Sequence, residues 1–182
     1  MENQRIRLTK TMLKDALIAL MAEKSIEKIT IQALCAKAQI NRTTFYKYYG
    51  SQYDLLEDIE NDFFQALESY LLSSEENVEL DALRQIMEFL AGNQENYRVM
   101  LNSAVDSAFI ERLFNLSSIR KMMAESILNQ FPESLQEYVY RFLCYGSYAV
   151  IRSWLSDGCQ ESPAEIAGLI YRTSNALRTE EK

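Results

Sequence analysis

The stretch from Ile29 to Leu56, ITIQALCAKAQINRTTFYKYYGSQYDLL, constrains the fold of this chain more than any other. Thr30 has the side chain of a helix N-cap, whose hydroxyl accepts a bond from a first-turn amide that has no partner within the helix. Ile29 precedes the cap and Leu34 stands at the fourth helical position, which is the spacing of a hydrophobic staple. The same pattern returns with Ile40, Asn41 and Phe45. Only one short helix, about Ile31 to Ala38, fits between the two caps. Helices of that length are unstable alone in water, so each must bury its apolar side against the other and a third helix. Two short helices joined by a small turn make a helix-turn-helix, whose second member enters the DNA major groove.

The second helix carries the chemistry. Arg42, Thr43 and Thr44 form its first turn, followed by Tyr46, Lys47 and Tyr48, while Phe45 and Tyr49 lie four apart on the inward side. Arg pairs bidentately with guanine, Thr reads a base edge or a thymine methyl, and Lys and Tyr reach phosphate. A solvated face would not need this concentration of donors and phenols.

The run from Thr30 to Leu56 resembles the N-terminal DNA-binding domain of TetR-type transcriptional regulators. Phe45-Tyr46-Lys47-Tyr48-Tyr49 is similar to the aromatic run that ends the family's recognition helix, and Gly50-Ser51-Gln52-Tyr53-Asp54-Leu55-Leu56 to the opening of its fourth helix. The resemblance implies a homodimeric DNA-binding regulator, most often a repressor released by a small molecule. Its DNA-contacting set would be Thr30, Asn41, Arg42, Thr43 and Thr44, with Tyr46, Lys47, Tyr48 and Gln52. Two departures stand out. The family's turn glycine is Gln39 here, so a residue with a Cβ must accept the turn. The family's phosphate-binding Lys is Gln52, which brings no charge to the backbone contact.

Composition fits this division. The chain has 182 residues, 48% of them hydrophobic, with only two prolines and five glycines, which favours an all-α class. A pI near 4.8 argues against nucleic acid for the chain as a whole. Residues 1–50 hold nine Lys/Arg against four Asp/Glu, net +5, whereas residues 51–182 hold ten against twenty-two, net −12. A basic reading head on an acidic body shows that asymmetry. Arg5, Arg7, Lys10 and Lys14 place further positive charge on the first helix, whose apolar stripe runs from Leu8 to Met21. They are candidates for approach to DNA. Three scattered cysteines and no histidine leave no zinc set and no His-based triad, and no cofactor is called for. No nucleophile motif or phosphate-cradling glycine loop points to an enzyme. No signal-peptide core or membrane span is evident, and scattered thiols suit a reducing cytoplasm.

The expected architecture is a three-helix head over residues 1–50 and a helical body over 51–182, about nine helices in all. A connector helix over about 51–72 joins them, and a polar break follows at Ser73 to Val78. One helix is expected near Asp106 to Gln130 and another from Glu133 to Ser156. The last opens on Ser162-Pro163-Ala164-Glu165, a cap, a first-position proline and a capping-box Glu.

The helix from Glu133 is apolar or aromatic on nearly every side, and such a helix must be covered all round. Val139, Leu143, Gly146, Val150 and Trp154 on it, with Ile166, Leu169, Ile170, Thr173 and Leu177 on the last helix, are the expected interface of a homodimer. Dimerisation would set two recognition helices about 34 Å apart over a palindromic operator. Met87, Phe89, Tyr97 and Met100, with Met123, Phe142 and Tyr145, are the expected lining of a pocket for an apolar or aromatic effector. A different class remains open, a helical co-regulator or activator acting through a protein partner with weak DNA or ligand binding of its own.

Overall fold

The computed structural model describes residues 4–72, 78–103 and 107–176. Among them it holds ten α-helices and no strand: α1 (Gln4–Met21), α2 (Ile31–Ala38), α3 (Arg42–Tyr46), α4 (Gln52–Leu72), α5 (Val78–Gly92), α6 (Gln94–Ser103), α7 (Ser107–Phe114), α8 (Ser117–Ser126), α9 (Glu133–Ser156) and α10 (Pro163–Asn175). Two single 3-10 turns lie at Ile26–Lys28 and Leu128–Gln130. The chain divides into two compact units, Met1–Gln65 and Ala66–Lys182, and α4 contributes to both.

In the N-terminal unit α2 packs on α1 and on α3. Both staples are in place: Ile29 and Leu34 are buried, and Phe45 is fully buried beside a half-buried Ile40. Leu13 and Leu17 of α1 and Leu55 of α4 complete this small core without exposure to solvent. The turn between α2 and α3 needs a left-handed residue, and Gln39 supplies it at φ 56°, ψ 34°. Its amide meets the carbonyls of Ala36 and Cys35. That conformation costs a residue with a Cβ about 1–2 kcal/mol.

In the C-terminal unit α5 lies along α10, and α9 packs on both α6 and α10. Ile86, Met87 and Leu90 of α5 and Ile166, Ala167 and Ile170 of α10 are buried. Two buried phenols on α9 close helix ends elsewhere. Tyr148 donates to the carbonyl of Leu101 in the last turn of α6 at 2.9 Å, and Tyr140 donates to that of Phe114, the last residue of α7. Residues 107–126, expected within one helix, therefore form two. The Phe114 carbonyl is bonded to a phenol, Leu116 turns to ψ 124°, and the Asn115 side chain accepts from Arg120 at 3.4 Å. Arg120 also lies over the Tyr140 ring, 4.4 Å from its centroid.

The capping box of α10 forms as its residue types require. The Glu165 amide donates to Ser162 Oγ at 3.3 Å, and the Ser162 amide donates back to Glu165 Oε2 at 2.9 Å. The polar break at residues 73–77, the expected helix start at Asp106, and Leu177 lie outside the described residues.

Candidate nucleic-acid interface

The recognition element is a helix of five residues, and three kinds of contact hold it. Asn41 accepts from the Thr44 amide at 2.7 Å, and Thr30 does the same for the Ala33 amide at 3.2 Å in α2. Both side chains are thus acting as caps and remain exposed at the surface. Phe45 fills the core beneath, with the Tyr46 ring edge-on at 5.4 Å and the Tyr49 ring at 5.8 Å. Beyond the helix, Tyr49 is buried and its hydroxyl donates to Asp58 Oδ2 at 2.7 Å.

This framework turns a compact polar surface outward. Arg42, Thr43, Tyr46 and Lys47 are exposed, while Thr44, Tyr48 and Gln52 are partly exposed. Tyr46 leaves 57% of its surface open, an unusual position for so large an aromatic side chain. Lys47 Nζ lies 5.8 Å above the Tyr48 ring, which holds the ammonium near the helix while leaving it wet. The surface therefore offers one guanidinium, two hydroxyls, two phenols and an ammonium, all able to donate to base edges or phosphate.

The start of α4 differs in character. Asp54 accepts from the Gly50 amide at 2.9 Å and from the Ser51 hydroxyl at 2.6 Å. The Ser51 hydroxyl and the Gly50 amide hold this carboxyl below its ordinary range. Gln52 beside it is neutral, so this helix start presents a carboxylate and an amide side chain.

Lys14 corrects one expectation. Sequence reasoning groups it with the charges that approach DNA, but its ammonium lies 2.6 Å from Asp62 Oδ2 and 3.0 Å from Asp58 Oδ2. It also donates to the Asp58 main-chain carbonyl at 3.3 Å. An ion committed to two carboxylates on α4 is not a phosphate ligand. Burial works against the charge of Asp58, but the bonds from Tyr49 and Lys14 outweigh it and the carboxyl lies below its usual value. The Lys14–Asp58–Tyr49 chain is not visible in the sequence because its members are 44 and nine residues apart, beyond the reach of helical periodicity.

The other expected sites are dispersed. Met87, Met100 and Met123 are buried core residues of the C-terminal unit. Phe89 and Tyr97 are half-buried and form a ladder with Tyr70, at centroid distances of 5.2 Å for Tyr70–Phe89 and 4.9 Å for Phe89–Tyr97. Phe142 and Tyr145 do not join them. Both stand on the outer side of α9, with Phe142 66% exposed and Tyr145 edge-on to Phe114 at 4.7 Å.

Of the residues expected at a subunit interface, Leu143, Trp154, Ile166 and Ile170 are buried within the chain itself, and Trp154 donates from its indole to the Glu161 carbonyl at 2.9 Å. Val139 and Val150 are half-buried, whereas Gly146, Leu169 and Thr173 are exposed. A different stripe of α9 is open: Leu135, Tyr138, Phe142 and Tyr145, at steps of three and four residues. Periodicity identifies α9 as apolar all round but cannot say which side the chain's own helices cover.

The three cysteines are free thiols, and burial pushes each of them up. No helix among the described residues is long and apolar enough to cross a membrane.

Comparison with known proteins agrees with this arrangement. A family model described as bacterial regulatory proteins, tetR family, matches residues 13–59, and one described as a transcriptional regulator C-terminal region matches residues 79–176. The chain is 25% identical over 172 residues to an uncharacterized HTH-type transcriptional regulator, YxbF, of Bacillus subtilis (strain 168). That match covers 91% of this chain but 44% of the relative, so the chain spans less than half of that protein's length. Among solved structures, a TetR transcriptional regulator from Streptococcus agalactiae 2603V is similar with TM-score 0.69 and 23% identity, covering 94% of this chain and 96% of that one. The dihydroxyacetone kinase operon activator DhaS is similar with TM-score 0.59 and 18% identity, covering 93% and 96%. A TetR transcriptional regulator from Rhodococcus sp. RHA1 gives 0.61 and 17%, covering 98% and 100%. These three share the fold. With family models matching both its helix-turn-helix and its C-terminal region, the chain belongs to the TetR family of bacterial transcriptional regulators.

Proposed function

We propose that this TetR-family regulator acts in the cytoplasm as a homodimer that binds a palindromic operator through α3 and represses transcription until a small molecule releases it. One observation carries the DNA-binding part: a five-residue helix is capped at its start by Asn41 and anchored from beneath by Phe45, leaving Arg42, Thr43, Tyr46 and Lys47 outward. On this reading Arg42 reads a base, Thr43 and Thr44 contact base edges, and Tyr46, Lys47, Tyr48 and Gln52 meet the backbone. Thr30 and Asn41 serve first as caps and lie beside the duplex.

The dimer reading rests on the open stripe of Leu135, Tyr138, Phe142 and Tyr145, with Gly146 beside it and Leu169 and Thr173 on α10. Aromatic side chains gathered on one solvent-facing side mark a surface that gains from being covered. The effector reading rests on the half-buried ladder of Tyr70, Phe89 and Tyr97, which suits an apolar or aromatic compound. Division into a DNA-binding head over 1–50 and a regulatory body from 51 makes α4 the piece common to both activities.

The test is enrichment of duplexes from a random pool by the full chain, with the mass of the bound complex measured in parallel. A palindrome bound by two copies is expected, and Arg42→Ala should cost about 1–3 kcal/mol and relax one base position per half-site. Failure to enrich any sequence would overturn the reading. A second reading, an activator working through a protein partner, draws support from the uncharged Gln52 and from the likeness in fold to DhaS, an operon activator. A complex of one copy with a different protein on the α9 stripe would favour it.

A further inference from the structure

A helix of five residues packed on one buried ring is located but not oriented. Phe45 fixes where α3 sits, because apolar burial is favourable and non-directional. Rotation about that ring would swing Arg42, Thr43, Tyr46 and Lys47 across the surface while leaving Phe45 buried. A second, directional attachment is needed to choose one rotation, and a hydrogen bond with its steep angular dependence provides such an attachment. The structure contains one, from the Tyr49 hydroxyl to Asp58 Oδ2 at 2.7 Å.

Asp58 is itself held at two points. Lys14 of α1 reaches its carboxylate at 3.0 Å and its main-chain carbonyl at 3.3 Å, and extends to Asp62 one turn further along α4 at 2.6 Å. The Lys14 side chain is only 17% exposed, so this pairing is partly shielded from solvent and salt. The acceptor that Tyr49 meets is therefore held by two helices other than α3.

We propose that Asp58, acting through Tyr49, is a positioning residue that sets the rotation of α3 about Phe45 and thereby aims the recognition side chains. The inference rests on the DNA-binding reading above. It assigns DNA affinity to two residues that need not touch DNA.

The test compares wild type with Tyr49→Phe, which keeps the ring and removes only the hydroxyl. Asp58→Asn, which keeps an acceptor but loses the pairing with Lys14, is the second variant. The probe is a labelled duplex carrying the sequence that the wild-type full chain enriches from a random pool, titrated at several salt concentrations. Tyr49→Phe should weaken binding roughly tenfold to a hundredfold, the equilibrium value of one charge-assisted bond. Asp58→Asn should weaken it less. The slope of log affinity against log salt should fall as well, because a turned α3 carries Lys47, which on this reading meets the backbone, away from phosphate. Tyr140→Phe, which removes a buried bond in the other unit, should leave affinity unchanged and so separates aiming from general loosening. Wild-type affinity in Tyr49→Phe would overturn the inference, as would an equal loss of affinity in Tyr140→Phe. If the wild type enriches no duplex, the DNA reading fails, and amide hydrogen exchange across residues 42–48 decides the tether. Faster exchange in Tyr49→Phe supports it and wild-type exchange overturns it.

Discussion

The N-terminal unit of this chain closes its helix ends with near neighbours, whereas the C-terminal unit closes two of its own across the bundle. In Met1–Gln65 the partners are near neighbours: Thr30 serves Ala33, Asn41 serves Thr44, and Ser51 with Asp54 serves the start of α4. In Ala66–Lys182 the last turns of α6 and α7 are served from α9, by Tyr148 across 47 residues and Tyr140 across 26. The contrast teaches why the local caps are readable and the closures of α6 and α7 are not. A cap three residues away is visible as a residue type at a fixed spacing, whereas a phenol across the bundle exists only once the bundle has formed. Burial pushes both of these phenols up, as expected of hydroxyls kept in their neutral, donating form.

If that contrast is real, perturbing each kind of closure should affect a different property. The largest effect is expected from Tyr148→Phe, which leaves the Leu101 carbonyl buried without its donor and should cost about 1–3 kcal/mol in denaturant unfolding. Duplex affinity measured well below the unfolding midpoint should not move. A drop in affinity would break the separation between the units. Asn41→Ala should do the reverse. Its cost to unfolding is about 1 kcal/mol, while binding should suffer visibly because the cap opens the first turn of the recognition helix.

Gln39→Gly sharpens the comparison from the other direction. Removing the Cβ from a residue at φ 56° relieves about 1–2 kcal/mol. The extra freedom of glycine in the unfolded chain returns about 0.5–1 kcal/mol. A net gain of up to about 1.5 kcal/mol is expected, read as a raised denaturant midpoint, and a loss would mean that the Gln39 side chain contributes contacts of its own.

The smallest effect is on acid stability. Asp58 is held below its unfolded value, so its contribution is complete above about pH 4 and is lost as pH falls through the lower folded value. The midpoint difference between wild type and Asp58→Asn should accordingly shrink on acidification below about pH 4. A constant difference would mean that the effect of the substitution does not come from the charge of Asp58.

Much of the fold is legible locally. Caps and staples predict α2 over Ile31 to Ala38, the bounds observed. The Ser162–Glu165 signature predicts a capping box that the structure contains. The misreadings share a cause. Residues 107–126 carry an unbroken apolar period, but the break at Asn115 and Leu116 goes with a phenol from α9 on the Phe114 carbonyl, a contact no local pattern shows. Charge alone marks Lys14 as a DNA contact, and its partners Asp58 and Asp62 are brought to it only by packing of α4. On α9 the apolar pattern covers nearly the whole circumference, so it cannot distinguish Leu143 and Trp154, covered by the chain itself, from Phe142 and Tyr138, left open.

The amino-acid sequence by itself determined the all-α class, the paired short helices and the polar residues of the second one, because helix propensity, capping and staple spacing act within a few residues. Tertiary structure alone decided which side of each helix is covered, which ammonium is neutralised and how the Tyr49 phenol is anchored. Those outcomes depend on groups nine or more residues apart meeting at hydrogen-bond distance, and a contact of that range leaves no period in the chain.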